Sequence, residues 1–496
     1  MNPMNSSTST PASYSLSLST YALTIIAAIG VVLVVWMFVS PELSLFVFPV
    51  IIFTSVAGFI VLIRTLALGR DIAITMLFSL LVVAIDFTLQ ETFTTGASKI
   101  NTEIAVKAFL YGTVFLLGLI HGVKRGLTLP VFPVLLVYSI IALASVSYTP
   151  LVHLAISSGL ALLGIFLSAA VLSDWTPDRI HRLWTWLFVA LFILALGSII
   201  EFAIWRESAI AHGIAGTGRL RGLTGHPNSL GPLMGIGIIV GIFLWRTGLT
   251  RSWKWTLVIG MAIMCIDLVL TDSRTAQLSL ISGLILLAVV HRPFWTWFFL
   301  VMLTILAWVL LSGIIDTLLA WTAVGYARSG GAHEVYTFTG RTDIWAFCWE
   351  KWQEAPWFGF GIGSPRVVIP AGWANFWGQS VGTAHNLLLE SLLSLGLIGT
   401  GLLLIAVGWL AIGLGKLIVE RRYLDHPDRL LVQFASVMLL FIFMDGLMEK
   451  SFSGTVHPNV LMLAIVMGIY ASVNKRYLQA VVAKKNTDVD RGRIAS

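Results

Sequence analysis

The chain has 496 residues, 57% of them hydrophobic and 11% charged, with 31 Lys and Arg against 24 Asp and Glu and a net charge of +7. Soluble chains carry about 25% charged residues, so this composition and a mean hydropathy of +0.90 exclude soluble enzymes, nucleic-acid binders and secreted disulfide scaffolds. Two cysteines, Cys265 and Cys348, are too few for a disulfide framework or a cysteine metal site.

Residues 1–19 are rich in Ser and Thr and lack Lys and Arg, so they make a poor signal-peptide start and read as a disordered tail. Apolar runs of roughly 17 to 22 residues then recur to the end, each matching a membrane-crossing helix. The expected fold is an all-α integral membrane protein of about fourteen transmembrane helices. The tight pairs around Pro41, Pro150 and Pro293 can be merged or split differently, which allows a count of twelve. Spans are expected at 20–39, 43–63, 72–89, 104–122, 128–148, 151–173 and 183–204, which form an N-terminal bundle over 20–204. The region 205–313 adds spans at 229–245, 254–271, 275–291 and 294–313. A large external loop, 314–384, precedes C-terminal helices over 385–473 (386–415, 430–447 and 459–473) and a basic tail, 474–496.

Distributing the basic residues over alternate sides puts about twenty of the 31 on one side. The positive-inside bias makes that side cytoplasmic. Both termini are then expected inside and the long loop outside. Arg219, Arg221, His226, Asp272, Arg274, Arg341, His385, Glu449 and His457 fall on the external side, and Asp86, Glu201, Asp267, Glu390 and Asp445 lie toward the external ends of their spans. Charges at membrane depth are costly and point to function, so chemistry is expected near the outer face.

Four spans begin there directly after a polar motif: Gly218–Ser229, Thr271–Thr275, Gly382–Asn386 and Val456–Asn459. A helix start offers unpaired N–H groups and a positive dipole end. Asn228 or Ser229 is the expected cap of the first. Arg219 or Arg221, with Arg274, adds guanidinium forks suited to phosphate oxygens, so a diphosphate fits. Helix caps and snorkelling arginines are the plainer reading. His385 is the best single candidate to take a proton from a hydroxyl, although a capping role is open to it. His226 and His457 share His-Pro-Asn, a capping pattern, and are supporting residues only.

In the loop, Thr339–Trp345 is expected to start a helix whose Phe347, Cys348, Trp349 and Trp352 make a bulky apolar surface, either an interfacial helix or a lid. The run Gly359–Gly363 follows no βαβ unit, so it is not a nucleotide loop. The sequence holds no His-Glu-x-x-His, Cys pair or Gly-x-Ser-x-Gly. No metal and no cofactor is expected, and the substrate should arrive already activated.

Taken in order, Gly225-His226-Pro227-Asn228-Ser229-Leu230-Gly231, Ser273-Arg274-Thr275-Ala276, Gly340-Arg341 to Trp345, Pro356–Gly361, Ala384-His385-Asn386 to Glu390 and Leu395–Gly399 resemble the bacterial O-antigen ligase and polysaccharide polymerase family. The motifs cover about 225–399. The N-terminal seven spans match only in being hydrophobic. The resemblance implies an inverting, metal-independent glycosyltransferase at the outer face of the bacterial cytoplasmic membrane. Its donor would be a polyprenyl-diphosphate-linked glycan and its acceptor a sugar hydroxyl, with membrane lipids, a chain-length regulator and a flippase as further partners and no nucleic acid. By carry-over, Arg274 and one of Arg219 and Arg221 bind the diphosphate and His385 activates the acceptor. Asp272 and Glu390 could orient Arg274 or His385, and Arg341 serves either the site or the fold.

Polymerisation of lipid-linked repeat units is the first reading, since nothing in the sequence points to a lipopolysaccharide core as acceptor. A ligase that transfers the glycan to that core is the alternative. A transporter of lipid-linked glycan also fits many spans and buried charges, but transporters commonly show related halves, and no internal repeat is visible.

Overall fold

The computed structural model describes residues 75, 77–84, 131–212, 218–247, 251–291, 341–373, 381–450 and 457–495, all within the unit Arg70–Ser496. The tail 1–19, the spans expected at 20–39, 43–63, 104–122 and 294–313, and loop residues 314–340 lie outside the described residues. Of the span at 72–89, residues 77–84 are helical.

From there the chain forms α1 (Phe132–Ala144), α2 (Val152–Leu172), α3 (Pro177–Ile204), the short α4 (Arg206–Ala209), the paired strands β1 (Ile210–His212) and β2 (Gly218–Leu220), and α5 (Pro227–Trp245). Next come α6 (Arg251–Leu270), α7 (Arg274–His291), the loop helices α8 (Arg341–Trp352) and α9 (Pro365–Gly372), and finally α10 (Leu387–Val419), α11 (His426–Met448) and α12 (Pro458–Ala495). Among the described residues, seven helices are long and apolar enough to cross a membrane, namely α2, α3, α5, α6, α10, α11 and α12. The protein is therefore a mostly helical, multi-pass membrane protein. Proline opens α3, α5, α9 and α12, where its missing N–H costs nothing and its fixed φ suits the first turn.

α11 is the hub of the described helices. It packs on α7, α10, α12 and α5, while α10 also lies on α1 and α12 on α2. Trp184, Phe243 and Phe434 tie α3, α5 and α11 together, with Phe434 4.4 Å from Trp184 and 5.3 Å from Phe243 between ring centres. The basic stretch read as a tail continues α12 as helix to Ala495. It is anchored by Ser472 Oγ on the Trp175 carbonyl at 2.6 Å and Arg476 Nε on Asp428 Oδ2 at 2.9 Å.

α10 is broken at Gly396, where φ is 63° and ψ −163°. A broken helix in an apolar setting must find partners for its freed backbone groups. Residues 356–361 supply them: Phe360 N donates to Leu393 O at 2.7 Å, Gly361 N to Ser394 O at 2.9 Å, and Leu397 N to Pro356 O at 2.8 Å. The two glycine motifs of the sequence thus form one backbone staple. A methyl on Gly396 would fall 2.3 Å from the Trp357 carbonyl oxygen, and one on Gly359 2.5 Å from that of Leu393. Gly396→Ala is expected to lower the thermal unfolding midpoint, since the backbone strain alone costs about 1–3 kcal/mol. Gly401→Ala, where an added methyl meets nothing within 4 Å, should leave the midpoint unchanged or raise it.

Candidate functional site

The starts of α5, α10 and α12 gather with the end of α6 around the C-terminal end of α11. That end carries Asp445 and Glu449, both buried. Acids there oppose the negative end of the helix dipole and need donors around them. The His-Pro-Asn motifs supply some. In each, the histidine rather than the asparagine caps the helix: His226 Nδ1 accepts from Asn228 N at 3.1 Å and His457 Nδ1 from Asn459 N at 3.3 Å. This corrects the expectation that Asn228 or Ser229 caps α5. The asparagines are freed to donate to the acids, Asn228 Nδ2 to Glu449 Oε1 at 2.7 Å and Asn459 Nδ2 to Asp445 Oδ2 at 2.7 Å.

Glu449 is the centre of the cluster. Arg341 Nη2 reaches its Oε1 at 2.7 Å and Arg341 Nη1 also donates to the Met448 carbonyl. His385 Nδ1 lies 2.9 Å from Oε2. Burial would raise the Glu449 carboxyl, but the charges of His385 and Arg341 outweigh it and hold the group well below the ordinary carboxylate range. An ionised carboxylate only accepts, so Nδ1 of His385 carries the hydrogen that faces Glu449, and in the neutral form of the ring the lone pair sits on Nε2. The imidazole remains partly open, with 20% of its side chain accessible. His226 is pressed down to about 4 by the protein around its ring, against the pull of Glu449 and aided by Arg219, His385 and Arg341. It is neutral at pH 7, and its Nδ1 is committed to the cap.

The backbone that presents His385 is held from several sides. Its φ is +47°, a region costly for a residue with a Cβ. Ala384 N donates to Glu390 Oε2 at 2.9 Å, Thr383 Oγ1 to the same oxygen at 3.2 Å, and Trp345 Nε1 to Ala384 O at 3.1 Å. Asn386 caps α10 through Leu388 N and Leu389 N, at 2.9 and 3.1 Å, and crosses to the Leu447 carbonyl at 3.0 Å. Arg341 and Trp345, one turn apart on α8, therefore grip Glu449 and the His385 turn from one helix face. Behind them Ile344 and Cys348 pack with Ile369, Ala384 and Leu393. Burial pushes the Cys348 thiol up to about 12, with Glu390 adding to it, which leaves it an inert core residue.

The hairpin of β1 and β2 separates the two candidate arginines. Arg219 Nη2 donates to Asn228 Oδ1 at 2.6 Å and to Asp272 O at 3.1 Å, and its Nε to Thr271 O at 2.9 Å. It thereby joins the Glu449 cluster through Asn228 and bridges to the end of α6. Arg221 turns away, its Nε on the Ser208 carbonyl at 3.0 Å beside Glu201. Asp272 takes φ +44° and Arg274 opens α7 two residues later. Of the residues singled out in the sequence, His385, Arg341, Arg219 and His226 are joined through Asn228 and Glu449, and Glu390 holds the turn that presents His385. Asp272 and Arg274 flank them, and Arg221 stands apart. Glu449 and Asn228, the residues that join the network, were singled out only as a side marker and a cap.

Among the described residues, no three His, Cys, Asp or Glu side chains are placed to hold a metal ion. Residues 259–404 match the O-antigen ligase family. The match agrees with the resemblance drawn from the motifs: this stretch of the chain is similar to the O-antigen ligase family. No curated protein matches the chain. The matched stretch contains Asp272, Arg274, Arg341, His385, Glu390 and Gly396. Arg219, His226, Asn228 and Glu449 lie outside it in sequence, and the fold brings them to it.

Proposed function

We propose that the protein polymerises lipid-linked repeat units, transferring a glycan from polyprenyl diphosphate to an acceptor sugar hydroxyl at the outer face of the bacterial cytoplasmic membrane. The observation that carries this reading is the continuous polar chain Arg219–Asn228–Glu449–His385, with Arg341 on the same carboxylate. It sets a base and cations side by side at one end of a bundle of apolar helices. In the proposed step, His385 Nε2 takes the acceptor hydroxyl proton as that oxygen bonds to the donor's anomeric carbon. The bond from that carbon to the diphosphate breaks, and the diphosphate leaves with the electron pair. Attack opposite the leaving group inverts the anomeric centre. Arg219 and Arg274 are assigned to the leaving diphosphate, where preorganised donors aimed at developing charge supply much of the catalysis. Glu449 steadies the imidazolium, and Arg341 and Glu390 are positioning residues. Arg219 is preferred to Arg221 because it alone of the two is joined to the Glu449 cluster.

The helix count of twelve to fourteen, which rests on the apolar runs, and the cytoplasmic termini and outward-facing site, which rest on the charge distribution, complete the proposal. A ligase acting on lipopolysaccharide core is the second reading, favoured by the description of the matching family. The test uses full-length protein in nanodiscs with a polyprenyl-diphosphate-linked repeat unit and EDTA, following glycan length and released lipid diphosphate. Elongation of the lipid-linked glycan without an added acceptor is expected. Donor consumption that starts only with added lipopolysaccharide core would establish the ligase instead, and no transfer with either acceptor would overturn both.

A further inference from the structure

The end of the bundle opposite His385 carries a second built cluster that the glycosyl-transfer reading does not use. α10 starts at the His385 turn and α11 ends at Glu449, so their connection, 420–425, lies at the far end together with the later turns of α12. There Tyr423 and Tyr477 meet edge to face with ring centres 6.1 Å apart. Three cations lie over these two rings. Arg422 is 4.8 Å and Lys484 5.1 Å from the centre of Tyr423, and Lys416 is 5.7 Å from that of Tyr477. Arg421 is exposed beside them. Of the described acids on this connection, Glu420 accepts the Tyr477 hydroxyl, and Asp425 caps α11 by accepting from Asp428 N at 2.9 Å.

Among the described residues these cations lie over ring faces and no carboxylate pairs with them, an arrangement suited to an anion with several oxygens. A track of bare apolar surface leads to them. Ile405, Trp409 and Ile412 recur at i, i+4 and i+7 on α10, all exposed, and the next position on this stripe is Lys416. Ile412 is 75% and Val419 82% accessible, and Leu478 and Val482 are bare on the neighbouring face of α12. An apolar stripe that ends in a cationic, aromatic cluster has the shape of a phospholipid, with acyl chains below and headgroup above.

We propose that Lys416, Arg421, Arg422 and Lys484 on their two-tyrosine platform bind the headgroup of an anionic phospholipid whose chains lie along the Ile405–Ile412 stripe. The site takes a phosphodiester in a membrane rather than a free phosphate, because the cations and the apolar track are continuous. The proposal is independent of the reaction at His385.

Native mass spectrometry of the full-length protein in detergent tests it, with phosphatidylglycerol and phosphatidylcholine as probes. Wild type is expected to retain phosphatidylglycerol in preference, and the triple variant Arg421→Gln, Arg422→Gln, Lys484→Gln to retain it at least tenfold less. A triple variant losing equal charge elsewhere at the same end, Arg182→Gln, Arg251→Gln, Lys254→Gln, should keep the preference. Equal thermal midpoints in phosphatidylcholine show that the variants are folded, and if the first triple does not fold, Arg422→Gln with Lys484→Gln is read in its place. Three results overturn the proposal. They are equal retention of both lipids by wild type, equal loss in the two triples, and displacement of the lipid by millimolar glycerol 3-phosphate, which would make this a site for free phosphate.

Discussion

His385→Ala is expected to lower glycosyl transfer by about a hundred- to ten-thousandfold, the usual worth of a positioned general base, while the protein stays folded. Two features make the fold insensitive. The side chain is partly open, and the backbone turn is held by Glu390, Trp345 and Asn386 through main-chain groups that alanine retains. The loss should fall on kcat, because the proton leaves the acceptor only as the new bond forms. Donor binding, read as retention of the lipid diphosphate product, should change little. His226→Ala is the informative comparison. With Nδ1 capping α5 and the ring neutral at pH 7, His226 is expected to contribute through the helix start alone. A cap costs about 0.5–2 kcal/mol, so that variant should lose thermal stability and most of its activity should remain. Equal kinetic losses in the two variants would remove His385 from the role of base.

The helices were legible because the signals that make them are local. Apolar length and polar breaks placed α2, α5, α6, α7 and α11 within a few residues of where they lie, and polar motifs marked helix starts that do meet at one end. His385, Arg341 and Arg274 were legible from order and residue type. Glu449 was not, for a physical reason. It lies 64 residues from His385 and 221 from Asn228 in the chain, and no spacing rule connects residues joined only by the packing of α5, α10 and α11. One signal was available. Two acids at the C-terminal end of an apolar helix oppose its dipole, so cations had to be close, and the arginines and histidines of the same end were the candidates. The choice between Arg219 and Arg221 depended on the pairing of strands 210–212 and 218–220, too short for any periodicity to reveal. The use of the glycine run 359–363 as a staple for a broken helix required the partner segment, 393–398, to be seen beside it.

Glu449→Gln should have the second large effect, and its origin is the tautomer rather than the fold. The amide oxygen can still accept from Arg341 and Asn228, which hold it at 2.7 Å each, while the amide NH₂ takes the place of Oε2 beside His385. A donor there forces Nδ1 of the imidazole to accept. The ring proton moves to Nε2, where the proposed reaction needs a lone pair. A comparable exchange of carboxylate for amide behind a catalytic histidine costs about ten-thousandfold in serine proteases. A loss of about a hundred- to ten-thousandfold in kcat with a smaller change in KM is therefore expected. Glu449→Asp keeps the charge and the Nδ1–H tautomer at a longer reach, and should recover at least tenfold over Gln. Because Glu449 is held ionised by His385 and Arg341 against its burial, its folded carboxyl titrates below its unfolded one. The stability it contributes is present above about pH 4.5 and is lost as pH falls toward the folded value. Wild type should lose thermal stability over that acid range and the Gln variant less of it, as a thermal midpoint series in pH would show. Activity in Glu449→Gln equal to wild type would leave the carboxylate a structural tie for Arg341, and His385 without its partner in the reaction.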